Sequence, residues 1–421
     1  MFRRICITWL PGLLLGLAAG GAWAQVTPPA SPVVATLRQA FDAAWARQPE
    51  ARSLDMRQTA ALARRESADS WSAEPPALEV SGKTDQLHRN DGSREYEIGL
   101  AVPLWLPGER ASTAALADAE VRASTSRALA AQLRTAAGVR TAYWDWQRAR
   151  IDVLVARERL ASARELAADV SKRVRAGDLA RADQHQADGA FATAEASLAE
   201  ASGALAGAEQ QLRALTGVTP ALAAEGLAVA EPEPAPSGAP ATVEAGHPAV
   251  AELRDRAEVA QRSMRLAGIQ GRANPELNLA TTRERGASGE SWQQTVTLGL
   301  RIPFGSDSRN RARVASASAE AIEAEAQLRL ERERLTSDVD TARVRVESAR
   351  TLVASAEQRA QLAREARGFF EKAFRLGETD LPTRLRIELE AAEAERQVAR
   401  TRIELAAAVS ALRQAMGLLP E

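Results

Sequence analysis

The chain repeats itself at a spacing of 200 residues, and this duplication limits its fold more than any other feature. The segment 99–103 (GLAVP) recurs as 299–303 (GLRIP), and an Arg-x-Gly motif at 175–177 recurs at 375–377. The correspondence runs without a gap over 96–220. Two copies of one structural unit are therefore predicted, each with a helix, two strands, a long helix, a turn and a further helix.

The duplication also sets the expected domain boundaries. A Pro/Ala-rich stretch between the copies predicts a linker with little intrinsic order. We expect a signal peptide at 1–24, a flexible N-terminus at 25–32, a first repeat at 33–220, the linker at 221–246 and a second repeat at 247–421. Within the repeats, hairpins are expected at 76–105 and 275–304, and tip turns at 174–181 and 374–382.

The first 24 residues have the pattern of a secretory signal. Arg3 and Arg4 precede a short apolar run, and Ala22-Trp23-Ala24 forms a cleavage site before Gln25. The apolar run is too short for a membrane anchor. The only cysteine, Cys6, lies inside this signal and too early for a lipoprotein cleavage box. Acylation is therefore not expected, and the mature chain can form neither disulfides nor thiolate metal sites.

Both expected hairpins alternate apolar and polar residues, which predicts strands with two distinct faces. This alternation fits a half-buried soluble hairpin as well as a membrane strand. Strands of about ten residues suit a tilted bilayer crossing. Because four strands cannot close a barrel and open edges cannot exist in lipid, a membrane interpretation requires an oligomer. The polar face would then line a barrel lumen with Glu79, Lys83, Glu95, Glu97, Thr295, Thr297 and Arg301.

Long helices follow each hairpin. Apolar residues are spaced alternately three and four apart over 139–174 and again over 339–374, with Arg367 as the one break. Alanine fills most of these positions, aromatic residues make up only 4% of the chain, and charged residues make up 26%. This composition is typical of long, closely packed helices. The helix expected over 107–176 would be roughly 100 Å long, far longer than a compact domain.

Catalytic and metal-binding patterns are missing from the sequence. His88, His185 and His247 have no second ligand at metal-binding spacing, and no nucleophile–base pair, P-loop or dinucleotide fingerprint occurs. With a net charge of −1, the chain has no surplus of positive charge for binding nucleic acid. We therefore expect no enzyme activity, no cofactor, no metal site and no nucleic-acid partner. His247 is interpreted as a helix start, and the aromatic cluster at 143–146 as packing.

At this point the chain resembles the TolC family of outer membrane efflux channels. The resemblance rests on the duplicated unit, the Arg-x-Gly turns and four short motifs, and it covers nearly the whole mature chain. These motifs are Gln48-Pro49-Glu50, His247-Pro248-Ala249, Val102-Pro103-Leu104-Trp105 and Ile302-Pro303-Phe304-Gly305. The resemblance implies a mainly α fold with a small β part. It also implies a homotrimer in which a twelve-strand outer membrane β-barrel stands on a twelve-helix periplasmic α-barrel.

The resemblance further implies a passive exit duct in a tripartite pump. Its partners would be outer membrane lipid, a periplasmic adaptor and an inner membrane transporter, most often of the resistance-nodulation-division type. The junction at 302–307 and the modest length are similar to heavy-metal (cobalt–zinc–cadmium) efflux members. A type I secretion or drug-efflux duct is an alternative. A soluble periplasmic coiled-coil adaptor or scaffold is the alternative outside channels, disfavoured by the hairpins and the duplication.

The two tip turns are the functional sites that the resemblance implies. Gly177 and Gly377 can end helices in a left-handed turn, and Thr379 or Asp380 can cap the next helix. Adaptor docking is expected at Arg175, Gly177, Asp178, Leu179, Arg375, Gly377, Glu378, Thr379 and Leu381. Gate candidates are Asp183, Asp380, Thr383 and Arg386. Thr383 and Arg386 depart from the family, because they stand where its best-known member has acidic residues after the second turn, and only Asp183 keeps an acidic match. The alternative is that the charges at these turns are merely solvated.

Overall fold

The computed structural model describes residues 35–87, 90–220, 230–235, 246–305 and 307–421. The expected signal peptide, the N-terminal stretch 25–32 and most of the linker lie outside these ranges. The first half contains α1 (Leu37–Trp45), α2 (Pro49–Ala68), β1 (Ala77–Thr84), β2 (Arg94–Pro103), α3 (Glu109–Ala176) and α4 (Arg181–Thr216). The second contains α5 (Pro248–Ile269), β3 (Glu276–Arg285), β4 (Gln293–Arg301), α6 (Asp307–Arg375) and α7 (Leu381–Ala415).

The four strands form one antiparallel sheet in the order β1-β2-β3-β4. Leu100 pairs with Leu78 on one side and Leu279 on the other, and Leu279 pairs with Leu298. This register collects the apolar side chains on a single face, as the alternation predicted. Leu78, Val80, Val296 and Leu298 are each at least 68% exposed on that face. Within the described chain, β1 and β4 therefore leave two unpaired edges and an uncovered apolar surface.

The helices pack side by side. Two long helices, α3 and α6, are paired with α4 and α7, and α5 lies between α3 and α6. At 68 residues, α3 is roughly 100 Å long, which agrees with the expected length. The break in the second apolar series is explained by α7, because the Arg367 guanidinium lies 3.5 Å from Glu395 and 4.0 Å from Glu388. None of the described helices is both long and apolar enough to cross a membrane.

The largest core is gathered around Trp146 of α3. The Tyr143 ring meets the rings of Trp144 and Trp146 at 5.3 Å and 5.8 Å, and all three side chains are buried. The cluster also takes in residues of α1, α4 and α7, among them Phe41, Leu212 and Ile403. The short α1 is held at its start by a capping box between Thr36 and Gln39. Packing was the role expected for these aromatic residues.

A buried ionic cluster joins both repeats to the linker. The Glu231 carboxylate accepts two hydrogen bonds from Arg140 of α3, at 2.8 and 3.1 Å, and lies 3.3 Å from Arg413 of α7. Ser410 also donates to it, and Arg413 donates to the Pro232 carbonyl at 2.9 Å. All three charged side chains are at most 5% exposed. The part of the linker around Glu231 is therefore held against both repeats, because its carboxylate bridges two buried arginines.

The linker also gives the first prediction. Replacing Glu231 by alanine leaves Arg140 and Arg413 buried without their shared carboxylate, which should destabilise the helices by about 3–5 kcal/mol. Glu233 is the matched control, because it pairs with Arg350 but is 46% exposed. Its alanine variant should lose about 0–1 kcal/mol. Urea unfolding followed by helical circular dichroism measures both shifts, and equal shifts would contradict the assigned role of Glu231.

Candidate functional site

The two tip turns have the same backbone path. Gly177 has a φ of 91° and Gly377 a φ of 75°, so both take the left-handed conformation expected of them. In each turn the glycine amide donates three residues back and the following amide donates five residues back, from Asp178 to Arg173 and from Glu378 to Ala373 at 2.9 Å. These bonds satisfy the last carbonyl groups of α3 and α6. The tips are therefore firmly built turns.

Acidic residues cap both helices that leave the tips, but from different positions. In the first tip, the Asp183 carboxylate reaches back and accepts from the Ala180 amide at 3.0 Å. In the second, the Asp380 carboxylate reaches forward and accepts from the Thr383 amide at 3.0 Å. Hydrogen bonds from the Thr383 hydroxyl and amide hold the pKa of Asp380 below its usual range. Both acidic gate candidates thus stabilise helix N-termini.

Of the other two gate candidates, Arg386 lies on the exposed side of α7. Its guanidinium donates to Glu390 at 2.7 Å, one turn further along the same helix, and its side chain is 61% exposed. Thr383 is half-buried and takes part through its cap contacts with Asp380. Three of the gate candidates thus lie at the helix starts beside the tips: Asp183, Asp380 and Thr383. Arg386 instead forms an ion pair with Glu390 on the surface of α7.

The docking candidates divide by exposure. At the first tip Arg175, Gly177 and Asp178 are exposed, and at the second Arg375, Gly377 and Glu378 are exposed. Leu179 and Thr379 are half-buried. Arg375 forms an ion pair with Glu371, and its hydrogen bond lowers the pKa of that carboxyl group. Leu381 is buried, since it packs beneath the turn against neighbouring apolar residues, and so presents no side chain to a partner.

Phe374 joins the two tips. Its ring packs with Leu166 and Val170 of α3 and with Leu381 of α7, and it is only 2% exposed. The Arg173 and Arg384 guanidinium carbons lie 5.0 and 4.8 Å from the ring centroid, which is cation–π distance. The apolar spacing predicted Phe374 on the helix seam but did not predict this contact. A sequence signal for it exists, because the equivalent position 174 of the first repeat carries the smaller valine, so the two tips differ in side-chain size here.

A charged cleft opens next to this contact. Its volume is about 740 Å³, and it lies between α3 and the tip-proximal parts of α6 and α7. Arg159, Arg173, Arg367, Arg375 and Arg384 line it together with six acidic side chains, so the charges nearly balance. The adjacent contact between α3 and α7 is an ion pair in which Arg400 donates to Asp152 at 2.7 and 2.8 Å. This hydrogen-bonded pair raises the pKa of Arg400.

All seven lumen candidates lie on one face of the sheet, opposite the apolar face. The register pairs Ser81 with Glu97, Glu97 with Thr282 and Thr282 with Thr295, so these side chains form one row. In the next row the Lys83 ammonium donates to Glu95 at 2.8 Å. Arg301 pairs with Glu276 at 3.3 Å. The face therefore carries charges of both signs, as a water-facing surface requires.

Among the residues that the structure describes, no group of three His, Cys, Asp or Glu side chains could hold a metal ion. His247 caps α5, its Nδ1 accepting from the Ala249 amide at 3.2 Å, and this confirms the expected helix start. Burial lowers the pKa of His247. The candidate sites are therefore the two tips and the two faces of the sheet.

Comparison with known proteins agrees with this arrangement. Residues 40–218 match the family of outer membrane efflux proteins. No curated protein gives a match. The fold is similar to the crystal structure of CusC, with 16% identity, a TM-score of 0.76, and coverage of 92% of this chain and 94% of CusC.

Two further solved structures have the same fold. The outer membrane protein VceC of Vibrio cholerae is 17% identical, with a TM-score of 0.74 and coverage of 91% of this chain and 97% of VceC. The open state of the outer membrane channel MtrE of Neisseria gonorrhoeae is 18% identical, with a TM-score of 0.72 and coverage of 92% and 90%. Both likenesses span the helices as well as the sheet, because each covers at least nine-tenths of both chains.

Phe374 gives the second prediction. Replacing it by alanine removes the ring shared by the two tips, and a buried Phe→Ala change costs about 3–5 kcal/mol. Amide exchange in the α6–α7 turn should become roughly a hundredfold faster or more, since each 1.4 kcal/mol is a factor of ten. Phe369→Ala is the control, because Phe369 lies on the same helix but is 69% exposed. Similar exchange in the two variants would show that Phe374 does not hold the tips together.

Proposed function

We propose that this chain is the outer membrane channel of a tripartite efflux pump, because residues 40–218 match the outer membrane efflux protein family and the fold of both repeats is similar to that of CusC. It gives substrate a passive path across the periplasm and the outer membrane. Its family and fold are those of channels, not enzymes. The energy for export comes from an inner membrane transporter.

The observation that carries this function is the uncovered apolar face of the sheet. Its leucine and valine side chains form a continuous band across all four strands. In water such a patch would drive aggregation, whereas in a bilayer it meets lipid at no cost. The same band argues against a soluble adaptor or scaffold, the alternative outside channels. The sheet is therefore the membrane-spanning part.

The edges of the sheet support a homotrimer. In lipid the unpaired backbone groups of β1 and β4 have no water to bond, so each edge needs a partner strand. A second copy can supply it, because β4 of one chain can extend the sheet beside β1 of the next. Three copies close twelve strands into a barrel, and the polar face of each sheet then lines the lumen.

The helices set the orientation of the channel. The helices join the sheet at the end where residues 103, 276 and 301 lie. The tips lie at the other end of α3, roughly 100 Å from this end of the sheet, and therefore in the periplasm. There, the exposed turns at Asp178 and Glu378 offer a periplasmic adaptor two similar docking points. Beside them, Phe374 packs the second hairpin against the first.

Fractionation tests the function. Expressed in a Gram-negative host, the full chain should appear in the outer membrane fraction and require detergent for release. The mature chain has no cysteine, so Ser81→Cys with Thr297→Cys introduces one thiol near each sheet edge. A short bis-maleimide should link the double variant into trimers, whereas either single variant should not. Recovery in the soluble periplasm without detergent would overturn the proposal.

The tips give a separate prediction about the adaptor. Asp178→Lys combined with Glu378→Lys reverses the charge of both exposed turns and should weaken capture by the adaptor of the same pump, with export reduced in parallel. Asp55→Lys is the control, since Asp55 is exposed on α2, away from the tips. Undiminished capture and export by the double variant would exclude these turns as the docking points.

A further inference from the structure

Two arginines lie on the outward, apolar face of the sheet. Arg283 follows Leu277, Leu279 and Thr281 on the same face of β3, and it pairs with Tyr96 across β2. Arg285, the last residue of β3, shares this face. The loops between paired strands are at this end, and the helices join at the other. The proposed orientation therefore places both arginines at the outer rim of the barrel, above the apolar band.

Both guanidinium groups stack on a single ring. Their central carbons lie 5.2 Å (Arg283) and 5.1 Å (Arg285) from the centroid of Trp292, and the Tyr96 ring lies 5.8 Å from the same indole. The Arg285 Nε also donates to the Gly92 carbonyl at 3.1 Å, which orients that side chain. Cation–π contacts of this kind hold arginines in place while their terminal N–H groups stay available.

Neither arginine is neutralised by the protein. Among the described residues, no carboxylate lies within ion-pair distance of Arg283 or Arg285. Arg94 on the same face differs, because it donates to Asp85 at 2.6 Å and both side chains are largely buried. Glu95 and Glu284, the nearest acids along the strands, point to the opposite face. Two uncompensated cations therefore stand side by side on a surface that faces lipid.

The position and chemistry of this cluster fit one kind of partner. Tryptophan and tyrosine mark the level at which a barrel wall meets the headgroups, and arginine on the lipid face is tolerated only near that level. Guanidinium binds phosphate through two parallel hydrogen bonds. We propose that Arg283, Arg285 and Trp292 bind the phosphate of a phosphorylated lipid headgroup in the outer leaflet. This inference rests on the proposed outer membrane location.

The binding test uses detergent-purified full-length protein and native mass spectrometry. Diphosphorylated lipid A is the probe, with its dephosphorylated form and inorganic phosphate as comparisons. Wild-type protein should retain lipid A about tenfold better than R283Q/R285Q, and should not prefer the dephosphorylated lipid. The control is R301Q, because Arg301 lies on the opposite face and is 72% exposed. It should retain lipid A like wild type.

Each contrary outcome has a distinct meaning. Equal retention by R283Q/R285Q and wild type overturns the site, and so does equal retention of the dephosphorylated lipid. Displacement of lipid A by millimolar inorganic phosphate would identify a free-anion site and also overturn the lipid assignment. W292A should show an intermediate loss, which tests the stacking contact without changing charge. Because the measurement uses purified protein, failure of the proposed channel function would appear separately, as recovery in the soluble periplasm.

Discussion

The packing of the whole molecule depends on the buried clusters around Trp146 and Glu231. The two repeats are also joined by the pairing of β2 with β3 and by Phe374 at the tips. Around Trp146, α1, α3, α4 and α7 share one apolar core, and beside it the Glu231 carboxylate bridges an arginine from each repeat. A buried carboxylate between two guanidiniums is costly to separate, since either charge alone would be left without water. This core sets the positions from which the sheet and the tips extend.

The two ends of the molecule are built on opposite principles. At the sheet, the apolar side chains share one exposed face, and most of the charged side chains lie on the other. At the tips, Phe374 and its apolar neighbours point inward, and the exposed surface carries backbone turns, charged side chains and Leu376. The duplication makes the two tips alike in backbone but not in side chains. Phenylalanine at 374 corresponds to valine at 174, and only the phenylalanine ring makes cation–π contacts with both hairpins.

Much of this architecture could be predicted from the sequence. Alternation placed Leu100 and Leu298 on the apolar faces of their own strands, and the three-four spacing over 139–174 gave the long helix nearly to its last residue, because both patterns are local. That these strand faces coincide was decided by the register. Asp380 was one of two residues expected to cap the helix after its turn, and it does so. The cap formed by Asp183 was not expected, because its carboxylate lies inside the helix and reaches back to the Ala180 amide, a contact that depends on the backbone geometry of the turn.

The sequence by itself determined the duplicated unit, the faces of the strands, the length of the helices and the glycine turns, since each depends on neighbours within a few residues. Tertiary structure alone decided which distant groups meet. Glu231 was one acid in a proline-rich stretch until α3 and α7 brought Arg140 and Arg413 to it. Arg283 and Arg285 were ordinary strand charges until the register placed them beside Trp292 on the apolar face. Such contacts depend on burial and on strand register, which the sequence of a single strand or helix does not determine.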